Sequence, residues 1–284
     1  FDKRGSDIGP EFSSAARSFL TQLVAEYGQF ADARKIADAA YAPFLNSTTP
    51  TEERSPVIRA SLRYGLVLQN EGDYRRSSEA LNRAVALGSQ QTGILNPDSL
   101  SALRLLALND IHQGKADTAV ATLLNVIGSD KSVSERYGAQ RHHAQAALAM
   151  AYLDLNKFSE AEIELRAATE RLSKIAEDEI PTSRPAAAQI ESLWGTLKLK
   201  RGDAATAATH FQRSIDILTP RQHPDSPFLA NARANLALAM ATKGERDSAK
   251  ALAAQARDSF AKHAAVGPHL TKSLAAAEKL LGSK

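Results

Sequence analysis

The stretch HPDSPFLANARANLALAMATKGERDSAKALAAQA, residues 223–256, decides the fold. It opens on Pro-Asp, runs through an apolar segment of helical character, breaks at Gly244 and resumes as a second alanine-rich run. Residues 96–127, NPDSLSALRLLALNDIHQGKADTAVATLLNVI, follow the same plan. A unit that recurs at a regular spacing signals stacked modules, none of which can bury its apolar face alone.

The punctuation extends along the chain. Short polar turns fall at Gly28, Gly72, Gly114, Asn156, Gly202 and Gly244, spaced 44, 42, 42, 46 and 42 residues apart. Glycine, or asparagine in its place, is expected where a helix ends on a left-handed residue. Five residues after each turn stands a small side chain: Ala33, Ser77, Ala119, Ala161, Ala207 and Ala249. Twelve after it stand Ala40, Ala84, Val126, Ala168, Ser214 and Ala256, and eight before it the larger Leu20, Tyr64, Leu106, Leu148, Trp194 and Leu236. The pattern predicts two antiparallel helices per unit, with small residues on the second helix admitting the first and the large residue filling the gap between them. The expected fold class is all-α, a solenoid of six helix hairpins without a β-sheet.

These features resemble the tetratricopeptide repeat. In the second unit Tyr64-Gly65, Leu68, Gly72, Tyr74, Leu81 and Ala84 fall on the family's positions, and Trp194-Gly195 repeats the large-then-glycine pair. The 42-residue period, with His223-Pro224-Asp225 and Asn235-Leu236-Ala237, is similar to the long repeats of the kinesin-light-chain type. The resemblance implies a right-handed superhelix, and it extends to repeats appended to bacterial kinases and transcription regulators. Pro-Asp is expected to start the first helix by N-cap chemistry. Because His223 stands thirteen residues before Leu236, against ten for Asn96 before Leu106, the sixth unit is expected to carry about one extra helical turn. Residues 13–266 then hold six repeats. In residues 267–284, Leu270, Leu274, Ala277 and Leu281 share one helical face, predicting a capping helix from about His269. The aperiodic FDKRGSDIGPEF, residues 1–12, reads as a cloning scar or linker.

Composition narrows the function classes. The 284 residues hold 35 Lys and Arg against 32 Asp and Glu, with no dense basic block, so nucleic acid is not an expected partner. The absence of cysteine excludes disulfides, thiolate catalysis and thiolate-bound zinc. It suits a reduced cytoplasm, the preferred location, and equally a disulfide-free periplasmic domain. No apolar run approaches the roughly 20 residues that span a bilayer.

Catalytic patterns are missing. The chain has no phosphate-binding glycine loop, no Gly-x-Ser-x-Gly elbow and no His-Glu-x-x-His. Nor does a carboxylate pair in register support an α/α-barrel enzyme. No enzymatic role, metal or cofactor is expected. His142-His143 would point about 100° apart on a helix, unfit for chelation, and reads as a solvated helix start. Asn46-Ser47-Thr48 reads as a turn, Glu177-Asp178-Glu179 as an exposed inter-repeat loop, and Trp194 as core filler.

By resemblance, function resides on the concave face, built from the first helix of each hairpin. The candidate partner-binding residues are Arg63, Leu66, Asn70, Arg104, Leu105, Leu108, His112, Met150 and Asn235, some of whose leucines are alternatively buried within the array. The family's asparagine ladder survives only at Asn235, its other positions being Arg63, Leu105, Ala147 and Leu193. The Lys/Asn/Arg set that clamps a C-terminal carboxylate in chaperone-binding members is missing as a set. This groove points to a protein or peptide partner with apolar and acidic groups. The leading reading is a scaffold or adaptor within a larger regulatory protein. The alternative is a peptide or small-ligand receptor that signals by changing curvature, and self-association comes third.

Overall fold

The computed structural model describes residues 10–45, 54–92, 96–130, 141–174 and 183–282. The Asn46-Ser47-Thr48 triplet, the acidic run at 177–179 and most of the leader lie outside these residues. Thirteen α-helices and no strand occur among the described residues. They pair as α1 (Pro10–Glu26) with α2 (Phe30–Tyr41), α3 (Arg54–Glu71) with α4 (Tyr74–Thr92), and α5 (Pro97–His112) with α6 (Ala116–Asp130). The remaining pairs are α7 (Arg141–Asp154) with α8 (Phe158–Ser173), α9 (Ser183–Lys200) with α10 (Ala204–Leu218), and α11 (Pro227–Lys243) with α12 (Arg246–Phe260). A final helix, α13 (Pro268–Gly282), packs on α11 and α12. Helix α1 begins at Pro10, inside the stretch read from sequence as a linker.

All six hairpin turns share one geometry. Gly28, Gly72, Gly114, Gly202 and Gly244 have φ between 79° and 91°, and Asn156 has φ 57°. At each, the turn residue's N–H returns to the carbonyl three residues back and the next N–H to the carbonyl five back, as with Asn156 to Leu153 and Lys157 to Tyr152. This double bond satisfies the last carbonyls of the first helix and reverses the chain at once.

The small residues five beyond the turn are all fully buried, and those twelve beyond are nearly so. Glycine at two large-then-glycine pairs carries the closest approach. A Cβ on Gly65 would lie 2.6 Å from Leu81 Cγ, and one on Gly195 2.6 Å from the Phe211 ring. The large residues divide: Tyr64, Leu148 and Leu236 are buried, Leu106 and Trp194 only partly. Leu20 is 46% exposed. It stands on α1, where Phe19 and Leu23 are exposed as well.

The helix starts refine the expectation from Pro-Asp. Asn96 caps α5, its side-chain oxygen accepting from Ser99 N at 2.8 Å, with Pro97 at the first helical position. Helix α11 is capped by Ser226, with Pro227 following. His223-Pro224-Asp225 therefore forms a turn before the helix and adds no helical turn to it. Ser226 N–H donates to the His223 carbonyl at 2.8 Å, closing that turn.

The first helices form the inner layer: α1, α3, α5, α7, α9 and α11 each contact the next in that series. The two ends of the array come together. The turn of the first hairpin meets the loop entering the sixth, where His223 N–H donates to the Tyr27 carbonyl at 3.0 Å and Gln222 Nε2 to the Glu26 carbonyl. Phe30, 2% exposed, packs edge-on to Phe228 and joins the apolar cluster of α11, α12 and α13. The turn of the second hairpin meets the start of α13, where Gly267 N–H donates to the Asn70 carbonyl at 2.7 Å. The superhelix is closed on itself along this seam.

Candidate functional site

Positions thirteen, nine or ten, six and two residues before each turn lie on one helical face. On α3, α5 and α7 this face is inner and mixed in character. Arg63 and Arg104 stand on neighbouring inner helices, each partly buried. Glu71, a conceivable mate for Arg63, is held by Arg34 instead. Burial holds Arg63 below the ordinary guanidinium value, with Asp98 and Glu26 pulling the other way. Among the described residues, no carboxylate acts on Arg104 in this way. Burial first, and then the like charge of Arg63, bring it down to about 10, and its Nε is buried without a hydrogen-bond partner.

Leu66 and Met150 stay partly exposed and pack at the edge of the apolar cluster shared by α3 to α7. Leu105 and Leu108, 3% and 7% exposed, belong to that cluster's interior. They support the floor from beneath because the long helices bury more of their circumference. Asn70 and His112 lie at the seam, and Asn235 on α11 donates to Asn231 Oδ1 at 3.3 Å. The structure thus brings Arg63, Leu66, Arg104 and Met150 together on the inner face and places the other five elsewhere.

Two readings from sequence are corrected. His142 is 3% exposed, not solvated, because the start of α7 is packed into the array. His143 points inward, where burial, Arg104 and His142 hold its imidazole well below the usual histidine value. Trp194 is not a fully enclosed filler. Its indole N–H donates to Thr169 Oγ1 at 3.2 Å, and its ring stacks on His210, which lies 2.7 Å from Glu191.

Inner residues that sequence reasoning missed have a common register. Thirteen before successive turns stand Arg59, Ser101, His143, Gln189 and Asn231, polar in five consecutive units. That regularity was the available signal for His143. Among the described residues no group of three or more His, Asp or Glu side chains is disposed to hold a metal ion, and no helix is long and apolar enough to cross a membrane.

The seam contains a titratable pair. The rings of His112 on α5 and His269 on α13 stack at 4.0 Å, and Tyr74 Oη on α4 lies 2.9 Å from His269 Nδ1. Burial, then His269 and Lys272, push His112 down to about 2; burial, then Lys272, push His269 down to about 4. Both are neutral in the closed form and recover ordinary values near 6.5 when the seam parts. The stability they contribute is therefore present above pH 6.5 and lost as pH falls toward 4. The limit is about 1.4 kcal/mol per pH unit for each group. Unfolding midpoints measured from pH 7 to pH 4 should fall more steeply for the wild type than for His112→Gln/His269→Gln, and parallel curves would remove the histidines from that dependence.

Residues 186–262 match the tetratricopeptide repeat. No curated protein sequence matches the chain. Among solved structures, NprR in complex with its cognate peptide NprX superposes with TM-score 0.68 at 12% identity, over 98% of this chain and 74% of that one. A Rap protein complexed with competence and sporulation factor gives 0.61 at 12%, over 89% and 77%. BtubC (BKLC) from P. vanneervenii gives 0.54 at 19%, over 90% and 92%. At these identities the likeness is one of fold. The chain is an all-α solenoid of helix hairpins whose residues 186–262 match the tetratricopeptide repeat, and its other hairpins share the same turns and packing.

Proposed function

We propose that the chain is a protein-interaction module that takes a segment of its partner against the inner face of α3, α5 and α7. The observation that carries this reading is the mixed character of that face. Partly open Leu66 and Met150 share this face with two arginines that form no ion pair among the described residues, a combination suited to a peptide bearing apolar and acidic groups. Methionine adds a surface that adapts to its ligand. The module serves as a scaffold or adaptor arm of a larger regulatory protein.

The closed seam favours a second, more specific form of this reading, a receptor that encloses a peptide and signals through its curvature. The fold likeness to NprR with NprX and to Rap with its factor supports that form. In binding assays against a displayed peptide library, Arg63→Ala and Arg104→Ala should each weaken captured ligands by about 2 kcal/mol, the usual cost of truncating one partner of a buried charged contact. Arg213→Ala, at an exposed position on α10, should leave them unchanged. Equal affinities for all three variants would move the binding surface away from the inner face.

A further inference from the structure

Arg104 is an unusual residue for an inner helix. It keeps part of its side chain open to the interior, yet its Nε is sealed and makes no hydrogen bond. The charged group that bears on it from α3 is another cation, Arg63. From α7 it faces His143, which is partly buried and also next to His142. Two of the three helices thus present fixed cations and the third an imidazole, with no carboxylate in an ion pair with Arg104 among the described residues. Glu26 and Asp98 bear on Arg63 from α1 and from the start of α5, but neither bears on Arg104.

Burying a guanidinium beside another one is costly unless an anion joins them. Arginine's planar fork of donors matches a carboxylate or phosphate group, and an interior site strengthens such a charge-assisted bond. A purely structural arginine would instead have its donors satisfied by the array, as Arg34 and Arg201 do with Glu71 and Glu162.

We infer that Arg104, flanked by Arg63 and His143 on the adjoining inner helices, forms an oxyanion-binding site for a carboxylate or phosphate group of the ligand. Arg104 supplies the charge and the sealed donor, Arg63 a second cation from α3, and His143 a ring nitrogen from α7. The inference deepens the interaction reading, since it rests on the ligand entering at the inner face, and names the group by which that ligand is anchored.

The test uses the 284-residue chain with inorganic phosphate and acetate as the probes. Thermal unfolding and titration calorimetry are run at constant ionic strength, with chloride as the balancing salt. The wild type should show saturable stabilisation by one of the two anions. Arg104→Gln and Arg63→Gln should weaken it about tenfold or more, while Arg213→Gln, which removes the same charge from an exposed site, should leave it intact. Arg104→Lys keeps the charge but loses the fork, and should bind more weakly than the wild type while remaining folded. Preference for acetate identifies a carboxylate-bearing ligand, and preference for phosphate a phosphorylated one.

No saturable effect in the wild type, or equal effects in Arg104→Gln and Arg213→Gln, would overturn the site. The assay contains no peptide, so that failure leaves the interaction reading standing. Saturable anion binding without peptide capture would remove the interaction reading and keep the site.

Discussion

Replacing Phe211 by alanine is expected to lower stability by about 3–5 kcal/mol, the range for deleting a fully buried aromatic side chain. Phe211 is 1% exposed and fills the space between α9, α10 and α11, against Ala207, Leu236 and Ala239. Its ring occupies the space that Gly195 vacates by having no Cβ. Neither neighbouring helix can close a void of that size without moving its backbone, so the cavity penalty adds to the lost transfer energy. Trp194→Ala is the informative comparison. Trp194 is the larger side chain and stands at a repeat position that suggests core, but it is only partly buried and its indole N–H faces a hydroxyl at the edge. Its loss should cost about 1–2 kcal/mol, in proportion to the smaller area removed from water. Urea unfolding of both variants measures the difference, and a larger effect at Trp194 would mean that the gap between these hairpins is filled from the other side.

The second large effect is expected at Gly28. Its φ of 91° already disfavours a side chain, and a Cβ there would lie 2.2 Å from Ser226 Oγ and 2.9 Å from Ser226 Cα. Gly114 has a similar φ of 79° but open space around it. Gly114→Ala should therefore cost about 1 kcal/mol, the conformational strain alone. Gly28→Ala should cost about 2–4 kcal/mol, because overpacking against backbone adds to that strain. Part of the loss is relieved by parting the seam, so Gly28→Ala should also lengthen the distance between labels on α2 and α11, measured by fluorescence transfer. Equal costs for the two variants, with an unchanged distance, would show that the seam contributes nothing to holding the ends together.

The hairpins were legible in the sequence because their determinants are local. A left-handed residue is needed at each turn, and the small residues five beyond it must admit a neighbouring helix, so both leave marks at a regular period. The six turns, the six buried small residues and the start of α13 all follow from this. Leu20 bears the same mark as Leu148, yet one is exposed and the other buried, because periodicity records the unit and not whether a neighbour stacks on it. On the inner face, Arg63 and Arg104 were legible as a register of cations on adjoining helices. His143 was obscured by His142, since an adjacent pair invites a question about metal chelation when the relevant partner lies on α5. Asn70 and His112 were placed in the groove by their offset from the turn, whereas the seam claims them. Seam contacts join residues 195 positions apart, as Tyr74 and His269 are, and nothing in a repeat pattern encodes them.

Tandem repeats usually behave as a one-dimensional chain in which each unit is stabilised by two neighbours, except the terminal ones, which have a single neighbour and fray first. Here Phe30 of the first unit is buried against the last, and the second unit's turn is bonded to the residue that leads into α13. The array thereby acquires the boundary conditions of a ring. The contacts that join the first and last units must break before either unit opens, so amide hydrogens in α2 and α12 are expected to share the protection of the middle units, while α1, with Phe19, Leu20 and Leu23 exposed, is expected to exchange sooner.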